Sequence, residues 1–264
     1  MKLVCLIKYI SERDRSASGT ELSAPDDGIA RFAINPDDAS ALAFALNLKK
    51  ERPDITLELI TVSTKAVLPL VEDAVRLGVD RATLILDRDT MGNDALTTVG
   101  LLNRHLSGAG ADCILTGSQS LDGGSGSVPP MLAELLQLPQ MSFASALDLP
   151  STEKGHVRVQ LVDGQWATDY ELELPAMVGF TAMSGLKLPF LRLKDKRRSV
   201  GDQVCLMETT DAALDGAPKW QPERRTEQVE IRELPLRTRQ QTVVSMDREG
   251  LETVISFLKQ KNFI

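Results

Sequence analysis

Short apolar runs alternate with amphipathic stretches along the first half of the chain, and no other feature narrows the fold as much. Leu3 to Ile7, Leu57 to Val62, Ala82 to Leu86 and Cys113 to Leu115 are brief and continuously apolar, as strands buried on both faces are. Between the first two, Asn35-Pro36-Asp37-Asp38 supplies an N-cap, a proline at the first helical position and early acidic residues for a helix to about Lys50. Lys65 to Leu77 is a second helix ended by Gly78, and about Asp94 to Leu106 is a third. Strands that alternate with helices in this way predict an α/β doubly wound, mostly parallel sheet. The carboxyl ends of such strands lie on one edge, which is where sheets of this kind bind ligands.

One connection on that edge stands out. After Cys113 to Leu115 come Thr116, Gly117, Ser118, Gln119, Ser120, Leu121, Asp122, Gly123, Gly124, Ser125, Gly126, Ser127, Val128, Pro129 and Pro130, and then a helical spacing of Met131, Leu132, Leu135 and Leu136 up to Leu138. The order is strand, glycine loop, helix. Clustered glycines let successive backbone N–H groups turn inward, and the helix behind adds the positive end of its dipole, so a nucleotide phosphate would be accommodated there. A βα turn that merely needs positive φ angles explains the same residues equally well, because the loop matches neither G-x-x-x-x-G-K-[ST] nor G-x-G-x-x-G.

Beyond Leu138 the period changes. Met141 to Leu147, Val157 to Leu161 and Trp166 to Leu174 alternate as antiparallel strands do, with Asp163-Gly164 as a hairpin turn, and would extend the sheet. From Arg192 to Arg239 the chain is polar, charged and broken by Pro218, Pro222 and Pro235, which reads as an arm. An amphipathic period returns only over Arg248 to Lys261, with Leu251, Val254, Ile255 and Leu258 on one face. The expected organisation is therefore an α/β nucleotide-binding domain over residues 1–191, followed by a C-terminal arm and helix over 192–264 that dock on a partner chain.

The bulk properties exclude several classes. A net charge of −7 disfavours nucleic acid or an anionic membrane surface as the main partner, since both require a basic face. The basic run Lys194, Lys196, Arg197 and Arg198, with Arg224 and Arg225 after it, reads as a solvated face. Cys5, Cys113 and Cys205 are far apart, and two of them lie in or beside apolar runs, which predicts reduced thiols in a cytoplasmic protein. His105 and His156 have no ligand at metal-binding spacing, no apolar run is long enough to cross a bilayer, and no signal peptide is expected.

Taken together, Ile7-Lys8 after the first strand, Asn35-Pro36 with Asp38, Gly78-Val79-Asp80-Arg81-Ala82, Gly117 to Val128, Leu138-Pro139-Gln140 and the basic run from Lys194 resemble the β-subunit of electron-transfer flavoproteins. The resemblance implies an adenine-nucleotide α-hydrolase-like fold and a heterodimer with a homologous α-subunit, which holds most of a redox FAD while β holds a second nucleotide. In the respiratory branch, where β holds AMP, the loop resembles D-D-D-x-N-Q-T-G-Q, and only Asp122 matches. In the nitrogen-fixation and electron-bifurcating branch, where β holds a second FAD, it resembles D-G-D-T-x-Q-V-G-P, and Asp122, Gly123, Val128 and Pro130 match. Asp87-Arg88 with Gly92, Asp94 and Thr98 also looks like that branch. Gly124, Ser127 and Pro129 depart from it, Ser127 by losing a glutamine amide and Pro129 by losing a backbone N–H.

The expected second nucleotide is thus FAD, with AMP as the alternative. Its expected contacts are Lys8, Tyr9 and Ile10 after the first strand, Asn35 and Asp38 at the first helix, and Thr61, Val62 and Ser63 at the end of the second strand. Gly92, Asp94, Thr97 and Thr98 follow at the third helix, and Gly117, Gln119, Asp122, Gly123, Gly124, Ser125, Gly126, Ser127 and Val128 complete the loop. The resemblance further implies that Leu186 and Leu188, beside Pro189, dock on an electron-donating dehydrogenase. The function implied is an electron carrier between a dehydrogenase and a quinone reductase or low-potential acceptor, with the chemistry supplied by the flavin and no protein acid, base or nucleophile. The competing reading is a non-redox regulatory or structural adenine-nucleotide-binding protein. An ATP-cleaving ligase of the wider fold would need S-G-G-x-D-S, and Ser120-Leu121-Asp122-Gly123-Gly124-Ser125 has the wrong order.

Overall fold

A computed structural model describes residues 1–11, 31–86, 94–150, 155–208, 243–261 and 263. The apolar runs form β1 (Lys2–Leu6), β4 (Thr56–Ser63), β5 (Arg81–Leu86) and β6 (Cys113–Gly117), while Tyr9–Ser11 and Phe32–Ile34 pair as a separate antiparallel ribbon, β2 and β3. The helices are α1 (Pro36–Glu51), α2 (Leu68–Leu77), α3 (Ala95–Leu106) and α4 (Val128–Leu136). The later strands are β7 (Gln140–Asp148), β8 (His156–Asp163), β9 (Trp166–Glu173), β10 (Ala176–Phe180) and β11 (Val204–Glu208), with a short helix α5 (Leu193–Lys196) before the last. Among the described residues the main sheet runs β11-β5-β4-β1-β6-β10-β7-β8-β9, parallel from β11 to β7 and antiparallel in the β8–β9 hairpin.

Two apolar layers sandwich the sheet. Leu3, Cys5, Leu57 and Leu59 meet Leu42 and Leu46 of α1 and Val71 and Val75 of α2, whereas Val4, Leu6 and Ile60 meet Val99 and Leu102 of α3 and Leu132 of α4. Successive residues of β1 and β4 thus serve opposite layers, which is why these strands read as unbroken apolar runs. The chain leaves β1 toward β4 and β5, then crosses back to add β6 on the other side. This reversal opens a crevice between the carboxyl ends of β1 and β6.

Two elements differ from the sequence reading. Ala176–Phe180, buried at every position, inserts as β10 between β6 and β7, so β7 joins the sheet in parallel before the hairpin begins. Its five residues are too few to show a period. Val204–Glu208, inside the stretch read as an arm, pairs in parallel with β5 along its whole length as an edge strand. There Leu206 is exposed and Cys205 faces out as a free thiol, so the apolar content of this strand is low and its sequence signal weak. The rest of the arm, with Arg224 and Arg225, lies outside the described residues.

The chain divides into two units, Met1–Glu227 and Gln228–Ile264. In the second, α6 (Arg248–Gln260) is capped by Asp247, whose carboxylate accepts the Gly250 N–H at 2.8 Å. Leu251, Val254, Ile255 and Phe257 are exposed on it. Among the described residues no helix is long and apolar enough to cross a membrane, and no group of His, Cys, Asp and Glu side chains is placed to hold a metal ion.

Candidate functional site

The glycine loop is held from beneath by the first turn of α1. Asp38, buried at the base of the loop, accepts the Gly117 N–H on Oδ1 and the Asn35 side-chain amide on Oδ2, each at 2.8 Å. The same Asn35 amide donates to the Gln119 carbonyl at 2.8 Å, and its oxygen accepts the Leu121 N–H at 3.1 Å. Asp37 accepts the Gln119 N–H at 3.2 Å. The N-terminal motif of α1 is therefore turned outward, and Asn35 makes no side-chain cap bond to its own helix. Its backbone is fixed from the other side, where its N–H donates to the Lys8 carbonyl at 2.9 Å.

Gly117 is glycine because α1 presses on it. A Cβ added there would lie 2.7 Å from the Asp38 backbone nitrogen and 2.8 Å from both Asp37 Cβ and Asp38 Oδ1. Further out, Gly124 and Gly126 have φ of +62° and +60°, a region side chains other than glycine enter only at a cost. Gly123 closes a small turn by donating its N–H to Asp122 Oδ1 at 2.7 Å, and Gly124 N–H donates to the Ser120 carbonyl at 2.7 Å.

Lys8 spans the crevice. Its ammonium donates to Asp122 Oδ1 at 2.8 Å and to Ser120 Oγ at 3.3 Å, joining the end of β1 to the loop after β6. Partial burial raises the Asp122 pKa, but the Lys8 ammonium, Ser120 and the Gly123 N–H outweigh it and hold the carboxylate below its usual range. Burial has the opposite outcome at Asp38, whose carboxyl is pushed up to about 7 despite hydrogen bonds from Asn35, Gly117 and Lys8. Burial likewise raises Asp37 against its own backbone donors.

The remaining expected contacts fall into three groups. Thr61, Val62 and Ser63 close the carboxyl end of β4, and the buried hydroxyl of Thr61 has no hydrogen-bond partner among the described residues. At α3, Asp94 accepts the Thr97 N–H at 2.8 Å and its carbonyl accepts the Thr98 hydroxyl at 3.2 Å, while the buried Thr97 hydroxyl has no partner among the described residues. Tyr9 and Ile10 are buried in β2, where burial pushes the Tyr9 phenol far up. Asp87, Arg88 and Gly92 lie outside the described residues. Orphaned hydroxyls and a glycine cradle at one sheet edge are what a polar, phosphorylated ligand fits.

Sequence reasoning missed two site residues. Ser118, fully buried, donates its hydroxyl to the Phe180 carbonyl at 3.0 Å and accepts the Phe143 N–H at 2.6 Å. Phe143 sits at φ +64° in the β7 bulge, half exposed, so Ser118 holds a strained aromatic residue beside the loop. Asp37 reads from sequence only as an early acidic residue of its helix. No local pattern marks either role, because each partner is distant in sequence. Burial raises the Cys5 thiol and pushes Cys113 up to about 12, so both stay protonated.

Residues 29–184 match the family model described as the electron transfer flavoprotein domain. The chain is 33% identical over 190 residues to the electron transfer flavoprotein subunit beta of Bacillus subtilis, covering 72% of this chain and 71% of that protein. It is 25% identical to the subunit beta of Clostridium acetobutylicum over 88% of this chain and 87% of that protein. Protein FixA of Azotobacter vinelandii is 26% identical over 69% of this chain and 66% of its own length.

Proposed function

Since the chain belongs to the electron transfer flavoprotein family and resembles its β-subunits, we propose that it is the β-subunit of a heterodimeric electron carrier that holds a nucleotide over the β1–β6 crevice. The observation that carries the reading is the Gly117–Val128 loop, anchored by Asn35, Asp37 and Asp38 and bridged to β1 by Lys8. Nucleotide phosphates would lie on the backbone of Gly123 to Val128, with Lys8 supplying positive charge. Pro129 and Pro130 leave the first turn of α4 short of N–H donors, which puts more of the binding on the loop itself.

The proposed nucleotide is FAD in preference to AMP, on the strength of Asp122, Gly123, Val128 and Pro130. The Thr61 and Thr97 hydroxyls, without a partner among the described residues, would serve its polar groups, while Asp94 is engaged in capping α3. A bound flavin supplies one- and two-electron chemistry, and this chain's part is to fix it, shield it and set the local charge. The proposed route runs from a dehydrogenase to a quinone reductase or a low-potential acceptor. Dehydrogenase docking is assigned to the segment from Thr181 to Leu193, where Leu186 and Leu188 pack partly on the core and Met183 and Phe190 are almost fully exposed. The arm and α6 are assigned to the α-subunit.

Expressing the chain with its α-partner and counting flavin and AMP per heterodimer tests the reading. Two flavins support FAD here, one flavin with one AMP overturns that preference, and a colourless complex overturns the carrier. Gly126→Val tests the loop. Forcing valine to φ +60° costs on the order of 1–3 kcal/mol, so nucleotide affinity falls while the rest of the fold persists.

A further inference from the structure

Asp37 is a single buried carboxylate that serves two distant loops. Its Oδ2 accepts the Gln119 N–H at 3.2 Å from the glycine loop, and its Oδ1 accepts the Ala182 N–H at 2.8 Å from the turn that follows β10. It sits in the first turn of α1 directly after Pro36, so its backbone has little freedom and only the side chain can turn. Both oxygens are matched and the residue is only 8% exposed. If one N–H moves, the carboxylate must follow it or leave a buried oxygen unmatched, and following it withdraws the other oxygen from its donor.

The second loop is worth controlling. Ala182–Ser184 form a short turn begun by Thr181, whose hydroxyl accepts the Met183 N–H; Met183 in the turn and Phe190 and Leu193 after it are exposed. Its entry is also tied to the glycine loop, since Phe180 pairs with Gly117 in the sheet and the Ser118 N–H and hydroxyl both reach the Phe180 carbonyl. Beyond Phe180, Asp37 is the side chain that extends the connection into the turn.

We infer that Asp37 is a positioning residue that couples nucleotide occupancy of the Gly117–Val128 loop to the conformation of the Thr181–Leu193 segment. The inference rests on the reading of that loop as the nucleotide site. A nucleotide that draws the Gln119 peptide toward itself turns the Asp37 carboxylate and so shifts or frees the Ala182 N–H. The surface bearing Met183 and Phe190 then differs between the filled and empty states, and any partner that binds there senses which is present.

Amide hydrogen exchange on the α-complexed chain, dialysed and then titrated with FAD or with AMP, tests the coupling. In the wild-type complex, nucleotide slows exchange in peptides covering both 117–128 and 181–193. In Asp37→Asn an amide nitrogen replaces one oxygen, so only one of the two N–H groups keeps an acceptor. Slowing then persists at 117–128 and is lost at 181–193. Ala182→Pro makes the same break from the other side: it deletes only the donor, at the first position of a short helix after an extended Thr181. It serves if Asp37→Asn fails to fold. A purely structural role would lower the unfolding midpoint without separating the two responses. Slowing at 117–128 with none at 181–193 in the wild type overturns the coupling and leaves the nucleotide site standing. An unchanged response at 181–193 in both variants overturns it as well, and absence of slowing at 117–128 overturns the nucleotide reading and the coupling with it.

Discussion

Helices α1 and α3 both start at the carboxyl edge of the sheet behind an Asx residue, and they use it in opposite ways. Asp94 caps its own helix through the Thr97 N–H. Asn35 occupies the corresponding position of α1 but gives its side chain to Gln119, Leu121 and Asp38, while Asp37 and Asp38 hold Gln119, Ala182 and Gly117. One start is closed on itself and the other is wired into its neighbours. Residue types that look alike in sequence can therefore carry either a local or a long-range duty, and only the long-range one shapes the loop.

The sharpest way to break the contrast is Gly117→Ala. The added methyl meets the Asp38 backbone nitrogen and Asp37 Cβ as well as Asp38 Oδ1, and overpacking of this kind costs about 1–3 kcal/mol or more. The urea midpoint should fall by the largest amount of any substitution considered, and nucleotide affinity should fall with it because α1 and the loop separate. An unchanged midpoint would mean that α1 does not press on the loop.

Asp38→Ala comes next. It strands the buried Gly117 N–H and frees the Asn35 amide, a loss of about 1–3 kcal/mol in urea unfolding. The pH dependence has a definite sign. Burial raises the folded-state pKa from 3.8 to about 7, so the folded chain binds the proton more tightly than the unfolded chain. The associated stability is fully present below the unfolded value and is lost as pH rises through about 7. Asp37, also raised by burial, adds in the same direction. Asp38→Asn should reduce this slope, and a slope unchanged from wild type would remove Asp38 as its source.

At the self-contained start the expected effects are smaller. Asp94→Ala removes one cap, worth about 1 kcal/mol, and should loosen α3 without disturbing exchange in the glycine loop. Lys8→Ala closes the series: its ammonium is half exposed, so stability should change by less than about 1 kcal/mol. Its effect should appear in nucleotide affinity, which falls and becomes less sensitive to salt. A salt dependence equal to wild type would mean that Lys8 does not meet the phosphates.

The hairpin shows how far local chemistry carries. Asp163-Gly164 reads as a turn from sequence, and Gly164 has φ +57° between β8 and β9, which pair from His156 with Glu173 to Asp163 with Trp166. The apolar runs of β1, β4, β5 and β6, the helices between them and the glycines of the loop are legible for the same reason. Their signals reside in periods, caps and φ preferences that neighbours along the chain determine.

Other features came from contacts that no local window contains. The five buried residues of β10 find their place only because β6 and β7 flank them, and β11 belongs to the sheet because β5 offers a free edge. The same holds for Asp37 and Ser118, whose donors and acceptors lie far along the chain. Sequence alone determined the α/β alternation and the glycine loop that follows β6. Tertiary structure alone decided which polar side chains hold that loop in shape, because a hydrogen bond between distant residues follows from how strands and helices stack, and stacking is a property of the whole core.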